Sequence, residues 1–339
     1  MSDEKLPLVS ILISSYNQHD LLPIAIKSAL DQDYKNLEVV VSDDGSERDI
    51  SPIIKSFSDS RLKVFINSEN LGRKENYRNL VYKHSKGKYL TMLNADDYYI
   101  DNSFITQVVN VFNEYSNVVL VHAYNKVLIT DTGKIITKSI PYNQTKIIDG
   151  TEFFLNSPYR QTIEHLTAVY PRRLANQIDV YRISTMSEDW EFLLRMIVGH
   201  KYAILPMHAG MITRHTSNVS SKISPEDFGL HDRYIHSIFQ YFSEKKTIPI
   251  PELEKWKFFM LKRHHIKWLI KAWFIDPNLE KEYMQFMKRE YPSVLRSIEN
   301  DLRFMLYKFI RRYDFLMHFA FKHFMNQENF IADLQSRRK

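Results

Sequence analysis

Four short polar stretches within the first 190 residues carry side chains suited to holding a charged ligand: Ser14-Ser-Tyr-Asn17, Asp43-Asp-Gly-Ser46, Asn94-Ala-Asp-Asp97 and Ser187-Glu-Asp-Trp190. Singly, each has an ordinary structural explanation. Asp-Gly-Ser is a common turn, and an acidic residue at a helix start caps it or complements its dipole. Together they say more. Two acidic pairs gathered at neighbouring positions repel by roughly 1 to 4 kcal/mol at water-like to surface-like dielectric, and a bound divalent cation relieves that repulsion. The chain has no cysteine, so oxygen ligands, with one imidazole at most, point to a hard or borderline ion, Mg2+ or Mn2+.

The elements around these stretches are placed to bring them together. Val9 to Ser15 and Leu37 to Ser42 are β-branched runs, separated by a segment, Leu21 to Gln32, whose apolar residues recur at helical spacing. The alternation continues with strands at Leu62 to Ile66, Tyr89 to Leu93 and Val118 to Ala123, and helices around Lys74 to His84 and Phe104 to Tyr115. This pattern predicts an α/β fold with helices on both faces of a mainly parallel sheet. A hairpin expected over Lys126 to Lys138, around Asp131-Thr-Gly133, makes the sheet mixed. A helix over Glu188 to Gly199 follows, then short strands near Tyr202 and Met211. Ligands of such sheets gather at the carboxyl ends of the strands, and three of the four polar stretches lie there.

Composition removes other chemistries. The absence of cysteine excludes disulfides, thiolate metal sites and a cysteine nucleophile. Neither a dinucleotide-binding glycine fingerprint nor a phosphate-wrapping glycine loop occurs, and the zinc-peptidase and serine-hydrolase signatures are missing. No apolar run reaches the length of about 18 residues that a spanning helix needs, and Met1 to Pro7 has no secretory-signal pattern. The expectation is a cytoplasmic protein, in peripheral contact at most with the inner face of the membrane.

The ordered set of motifs over residues 7 to 221 resembles glycosyltransferase family 2, whose mostly bacterial members have the GT-A nucleotide-sugar-binding fold and invert the anomeric centre. The resemblance implies a donor site in which Tyr16 lies against the base and Asp44 accepts a hydrogen bond from its edge. Ser14, Asn17, Asn70 and Arg78 would support the donor, with Asp96 at the ribose or the metal shell. It implies Asp97 as a direct metal ligand and His215, in Arg214-His-Thr-Ser-Asn-Val-Ser220, as a second. Asp189 would be the catalytic base, with Glu188 and His165 bordering the acceptor. The family's metal motif begins with Asp, and here Asn94 takes that place. The reaction implied is transfer from a nucleotide-diphosphate sugar, by default a UDP-sugar, to a hydroxyl of a bacterial surface glycan or its lipid-linked intermediate. A catalytically silent nucleotide-sugar-binding or assembly subunit is the alternative that Asn94 raises.

Residues 1–244 are expected to form the catalytic domain, 245–252 a linker and 253–339 a basic helical region. Residues 251–339 hold 18 Lys and Arg against 11 Asp and Glu, a surplus of seven, whereas residues 1–250 sum to −1. The run His264 to Phe274 and the stretch Leu302 to Met325 interleave aromatic and basic residues. That pattern suits an interfacial membrane helix, or equally packing on the catalytic domain or a homodimer interface. No nucleic-acid-binding motif accompanies the charge.

Overall fold

The computed structural model describes residues 6–159, 163–214, 224–225, 228–230 and 232–310. Its frame is a ten-stranded mixed sheet. Val9–Ser15 (β1), Leu37–Asp43 (β2), Leu62–Ile66 (β3) and Tyr89–Asn94 (β4) run parallel in the order β3-β2-β1-β4. Their side chains alternate between two cores, as the two-residue strand period requires. Val9, Ile11 and Ile13 enter the core beneath Leu22–Leu30 (α1) and Phe104–Glu114 (α4). Leu12, Val40, Leu90 and Met92 enter the opposite one.

The second half of the sheet was less apparent from periodicity. The hairpin is present, but its first arm is one twelve-residue strand, Val118–Ile129 (β6), paired with Lys134–Thr137 (β7). The two short strands expected near Tyr202 and Met211 are one strand, Lys201–Arg214 (β10), running parallel to β6 with register shifts between Ile204 and Gly210. A three-residue strand, Val169–Pro171 (β9), sits antiparallel between β4 and β6 and joins the two halves. Tyr98–Tyr99 (β5) and Lys146–Asp149 (β8) edge onto β10.

Helices Ser51–Lys55 (α2), Arg73–Arg78 (α3), Gly150–Asn156 (α5), Arg172–Ile178 (α6) and Glu188–Ile197 (α7) cover the sheet. The helix expected over Lys74 to His84 changes character midway, α3 continuing into a π turn over Asn79–His84.

Beyond the sheet come Arg233–Lys245 (α8), Ile250–Ile275 (α9), Pro277–Glu290 (α10), Pro292–Glu299 (α11) and Leu302–Ile310 (α12). The expected linker contracts to the turn 246–249, because Pro251 falls in the first turn of α9, where a missing N–H costs nothing. These helices share one core with the sheet. Trp256 stacks on Phe154 with ring centroids 4.5 Å apart, and its Nε1 donates to Ser157 Oγ at 3.0 Å. One face of the run His264 to Phe274 packs inward: His265, Leu269, Ile270 and Ala272 are buried, and the His265 ring bonds Tyr283 Oη at 2.8 Å. No helix among the described residues is long and apolar enough to cross a membrane.

Candidate active site

The parallel register sets the first polar stretches side by side. Ser14 lies opposite both Ser42 and Asn94, and Ser15 opposite Asp43. One buried amide ties them. Asn76, on α3, donates through Nδ2 to Ser14 Oγ at 2.9 Å and to the Ser42 carbonyl at 3.1 Å, and accepts from Ser42 Oγ at 2.6 Å.

Asp44 is 3% exposed, and its Oδ1 accepts from Asn67 Nδ2 at 2.9 Å and from the Leu71 N–H at 3.0 Å. No described residue donates to Oδ2. Asp43 serves the turn instead, accepting from the Ser46 N–H and hydroxyl. Gly45 makes that turn possible: its φ is +70°, and a Cβ there would lie 2.6 Å from the Glu69 carbonyl carbon. Tyr16 is 42% exposed beside Asn17, whose Oδ1 accepts from the Glu47 N–H at 3.0 Å. Asn70 Oδ1 accepts from the Gly72 N–H at 2.8 Å.

At the end of β4 the acidic pair meets β10. Asp97 is 7% exposed and its Oδ1 accepts from the Thr213 N–H at 2.9 Å, while the Thr213 hydroxyl donates to the Asp96 carbonyl oxygen. Burial first, then the Asp96 carboxylate, push the Asp97 carboxyl up to about 8, against Thr213, Arg214 and Asn94. Asn94 is built in rather than vestigial. Its Oδ1 accepts from Tyr77 Oη at 2.6 Å and its side chain also bonds Asp97. An amide at this position therefore adds a donor where a third carboxylate would add repulsion.

Helix α7 carries the fourth polar stretch. The apolar face of α7, Phe192, Leu193, Leu194, Met196 and Ile197, is buried, and Glu191 locks it through Arg195 at 2.6 Å and Arg182 at 2.9 Å. Glu188 does not open toward an acceptor as expected. It is 5% exposed and accepts from Arg73 Nε at 3.2 Å, while Arg73 Nη2 reaches the Thr185 carbonyl at 3.0 Å. Glu188 thus fastens α7 to α3. Asp189, half-buried, accepts no hydrogen bond and forms no ion pair among the described residues. Arg78 is also occupied: Nη1 bonds Asp179 Oδ1 at 2.7 Å and the Val180 carbonyl at 3.2 Å, and the guanidinium packs 4.9 Å from the Tyr82 ring. It braces the segment leading to α7.

Several of these groups lie within electrostatic reach of one another. Buried Tyr77 feels Arg73, Glu188, Asp96 and Asp189. Glu164, which bonds Asn125 Nδ2 at 3.2 Å, feels both Arg214 and Asp189, and Arg214 in turn acts on Asp97. His165 bonds Tyr181 Oη at 2.9 Å, and burial lowers its pKa against the pull of Asp189. Sequence reasoning did not single out Arg73, Asn76, Tyr77 or Thr213, whereas it had placed the Glu164-His165 segment beside the acceptor. Arg73 sits just ahead of the Asn-containing helix that was singled out, but spacing alone could not say which arginine turns inward.

His215 lies outside the described residues. Among the described residues no group of three His, Cys, Asp or Glu side chains stands ready for a metal. The acid pair nonetheless suits a hard cation. Asp97 is a buried carboxyl with a carboxylate neighbour, and ligand or water oxygens can supply the remaining positions of such an ion.

Comparisons with known proteins bear on the fold and the family. Residues 10–166 match the family model for glycosyl transferase family 2. The chain is 37% identical over 115 residues to the Escherichia coli enzyme WfaP, a UDP-Glc:alpha-D-GlcNAc-diphosphoundecaprenol beta-1,3-glucosyltransferase, covering 32% of this chain and 45% of that protein. The matches to the first curated relatives span less than half of their length. Among solved structures, residues 1–349 of S. aureus TarS in complex with UDP-GlcNAc superpose with a TM-score of 0.61 at 18% identity, covering 76% of this chain and 72% of that one. GalNAc-T7 with UDP, GalNAc and Mn2+ gives 0.53 at 16%, covering 77% and 55%. Residues 10–166 thus carry the match to glycosyltransferase family 2, and the chain has a GT-A fold similar to that of TarS.

Proposed function

We propose that the protein is an inverting glycosyltransferase that moves a sugar from a UDP-sugar to a hydroxyl of a lipid-linked bacterial glycan. The single observation that carries this reading is the state of Asp189. It is a carboxylate with no protein partner among the described residues, on a helix end that Arg73 and Glu188 fasten to the donor side of the cleft. A general base needs an open lone pair within about 3 Å of the hydroxyl it serves.

On the donor side, Asp44 Oδ2 accepts from the base edge, the exposed Tyr16 ring stacks on the base, and Ser14, Asn17 and Asn70 complete the pocket. Asp96 and Asp97, with His215, would hold Mn2+ or Mg2+, which when bound neutralises charge on the sugar diphosphate. Asp189 takes the proton of the acceptor hydroxyl as its oxygen bonds the anomeric carbon. The bond from that carbon to the diphosphate oxygen breaks on the opposite face, and UDP departs. Entry from one face and departure from the other inverts the centre. His165 and Glu164 border the acceptor. The glucosyl donor and undecaprenyl-linked acceptor of WfaP support this donor and acceptor class.

A lipid-linked acceptor puts the reaction at the membrane face. The surface available for that contact is α12, where Leu302, Met305, Leu306 and Phe309 are exposed.

The test is a panel of UDP-sugars with Mn2+ or Mg2+ and a short-chain lipid diphosphate glycan, read as UDP release. One sugar should give acceptor-dependent release. Binding of UDP without release from any sugar would favour the silent-subunit alternative that Asn94 raised.

A further inference from the structure

Two residues between α6 and α7, Asp179 and Tyr181, hold positive φ angles, +53° and +56°. In a side chain as bulky as tyrosine that conformation is an outlier, kept only where the surroundings over-determine it. They do so here. Arg78 Nη1 and Tyr82 Oη both donate to the Val180 carbonyl at 3.2 Å, and Arg195 Nη2 donates to the Asp179 carbonyl at 3.2 Å. The Tyr181 side chain is thereby turned inward and is 1% exposed.

Its ring is wedged between elements of both halves of the site. The centroid lies 4.9 Å from that of Tyr77, whose hydroxyl bonds Asn94, and 4.8 Å from that of Phe192 on α7. Phe192 and Asp189, three residues apart, are neighbours on the surface of that helix. A buried tyrosine hydroxyl needs a partner, and that of Tyr181 bonds His165 Nε2 at 2.9 Å. The hydroxyl of buried Tyr170, its other polar neighbour, makes no contact of hydrogen-bonding geometry. The His165 ring lies 6.1 Å from that of Phe192; it is half-buried, and no described residue bonds its Nδ1. Burial pushes the Tyr181 phenol well above its ordinary range and lowers the pKa of His165, so at neutral pH the pair is a phenol and a neutral imidazole. Phenol is the stronger acid of the two and the imidazole nitrogen the stronger base. The O–H therefore donates, Nε2 accepts, and the ring proton sits on Nδ1.

We propose that Tyr181 is a positioning residue of the acceptor side: its hydroxyl fixes His165 in the Nδ1–H form, which presents a hydrogen-bond donor to the acceptor sugar beside Asp189. That the ligand is an acceptor sugar rests on the transferase reading, whereas the hold of Tyr181 on the ring does not. Packing alone would not require the hydroxyl, since phenylalanine fills the same space between Tyr77 and Phe192.

The test uses the full chain, isotope-labelled at histidine nitrogen and read by NMR, with the His165 ring signals assigned by their loss in His165→Gln. The wild type at neutral pH should show His165 protonated at Nδ1, and Tyr181→Phe should lose that preference while staying folded and binding UDP with wild-type affinity. In UDP release driven by the short-chain lipid diphosphate glycan, Tyr181→Phe should raise the KM for that glycan by about two- to tenfold, the worth of one hydrogen bond, with donor KM unchanged. Added to His165→Gln, the same substitution should cost nothing further. A wild-type ring protonated at Nε2 would overturn the proposal before any variant is made. So would an unchanged KM for the glycan in Tyr181→Phe, or effects of the two substitutions that multiply. The transferase reading fails by a separate readout, the absence of UDP release from every sugar by the wild type, and the NMR arm then still decides the hold on His165.

Discussion

The donor half of the cleft and its acceptor half are built on different principles. Around β1 to β4 several polar groups are tied to one another: Asn76 bridges Ser14 and Ser42, Asp43 is absorbed by its turn, and Asn94 accepts from Tyr77. On α7, Asp189 has no such partner among the described residues. The first half is a rigid mould for a ligand whose shape is fixed. The second half presents a carboxylate that only a ligand completes, and it is assembled from α7 and β10, which lie apart in the chain from β1 to β4. The contrast separates residues whose loss damages the mould from residues whose loss damages the reaction.

Asp97→Asn tests the donor half most severely. Metal-dependent donor binding and transfer should both be lost, yet the metal-free variant should melt higher than the metal-free wild type. The sign follows from burial and the Asp96 carboxylate holding the folded carboxyl at about 8, well above the ordinary aspartate range. The folded state then holds its proton more tightly than the unfolded one, so wild-type stability falls as pH rises from about 4 to about 8. The melting-point gap between the two proteins should open over that window and stay level above it, which scanning calorimetry in chelator reads directly. A constant gap would show that Asp97 is not the strained acid.

Gly45→Ala should come next, as a lesion of the mould. A side chain there meets the Glu69 backbone and is held at positive φ, a conformation that costs roughly 1 to 3 kcal/mol. The expected result is a melting point lowered by several degrees together with weakened UDP binding, measured by calorimetry.

The smallest of these effects should come from Arg73→Ala, which cuts the tie between the halves. It leaves Glu188 buried without its partner, at a cost of about 1 to 3 kcal/mol. The turnover number should fall several-fold with donor KM nearly unchanged, because α7 loses its anchor while the mould stays intact. A raised donor KM would place Arg73 in the donor pocket itself.

The same contrast explains what was legible in the sequence. The donor half is local: each strand is a short apolar run, and the polar residues that follow it lie at its end by construction. Ser14, Asp44 and Asn94 could thus be read in order. Strand β10 could not, because its middle residues, Pro206 to Gly210, break the alternation at the register shifts and only pairing with β6 keeps the strand continuous. Three residues of β9 are too few for any periodicity. The difference between Glu188 and Asp189 is a matter of which neighbour meets Arg73. That is not written in the local sequence. The aromatic run on α9 suited a membrane surface and protein packing equally, because composition does not distinguish rings that face lipid from rings that face protein.

The central claim is that an open carboxylate on α7 completes a site moulded by β1 to β4. It is tested most directly on one protein, Asp189→Asn, by measuring UDP affinity and acceptor-dependent UDP release side by side. The account predicts wild-type affinity for UDP with release slowed by about 10²- to 10⁴-fold, the usual contribution of a general base. Release at the wild-type rate, with UDP bound normally, would contradict it.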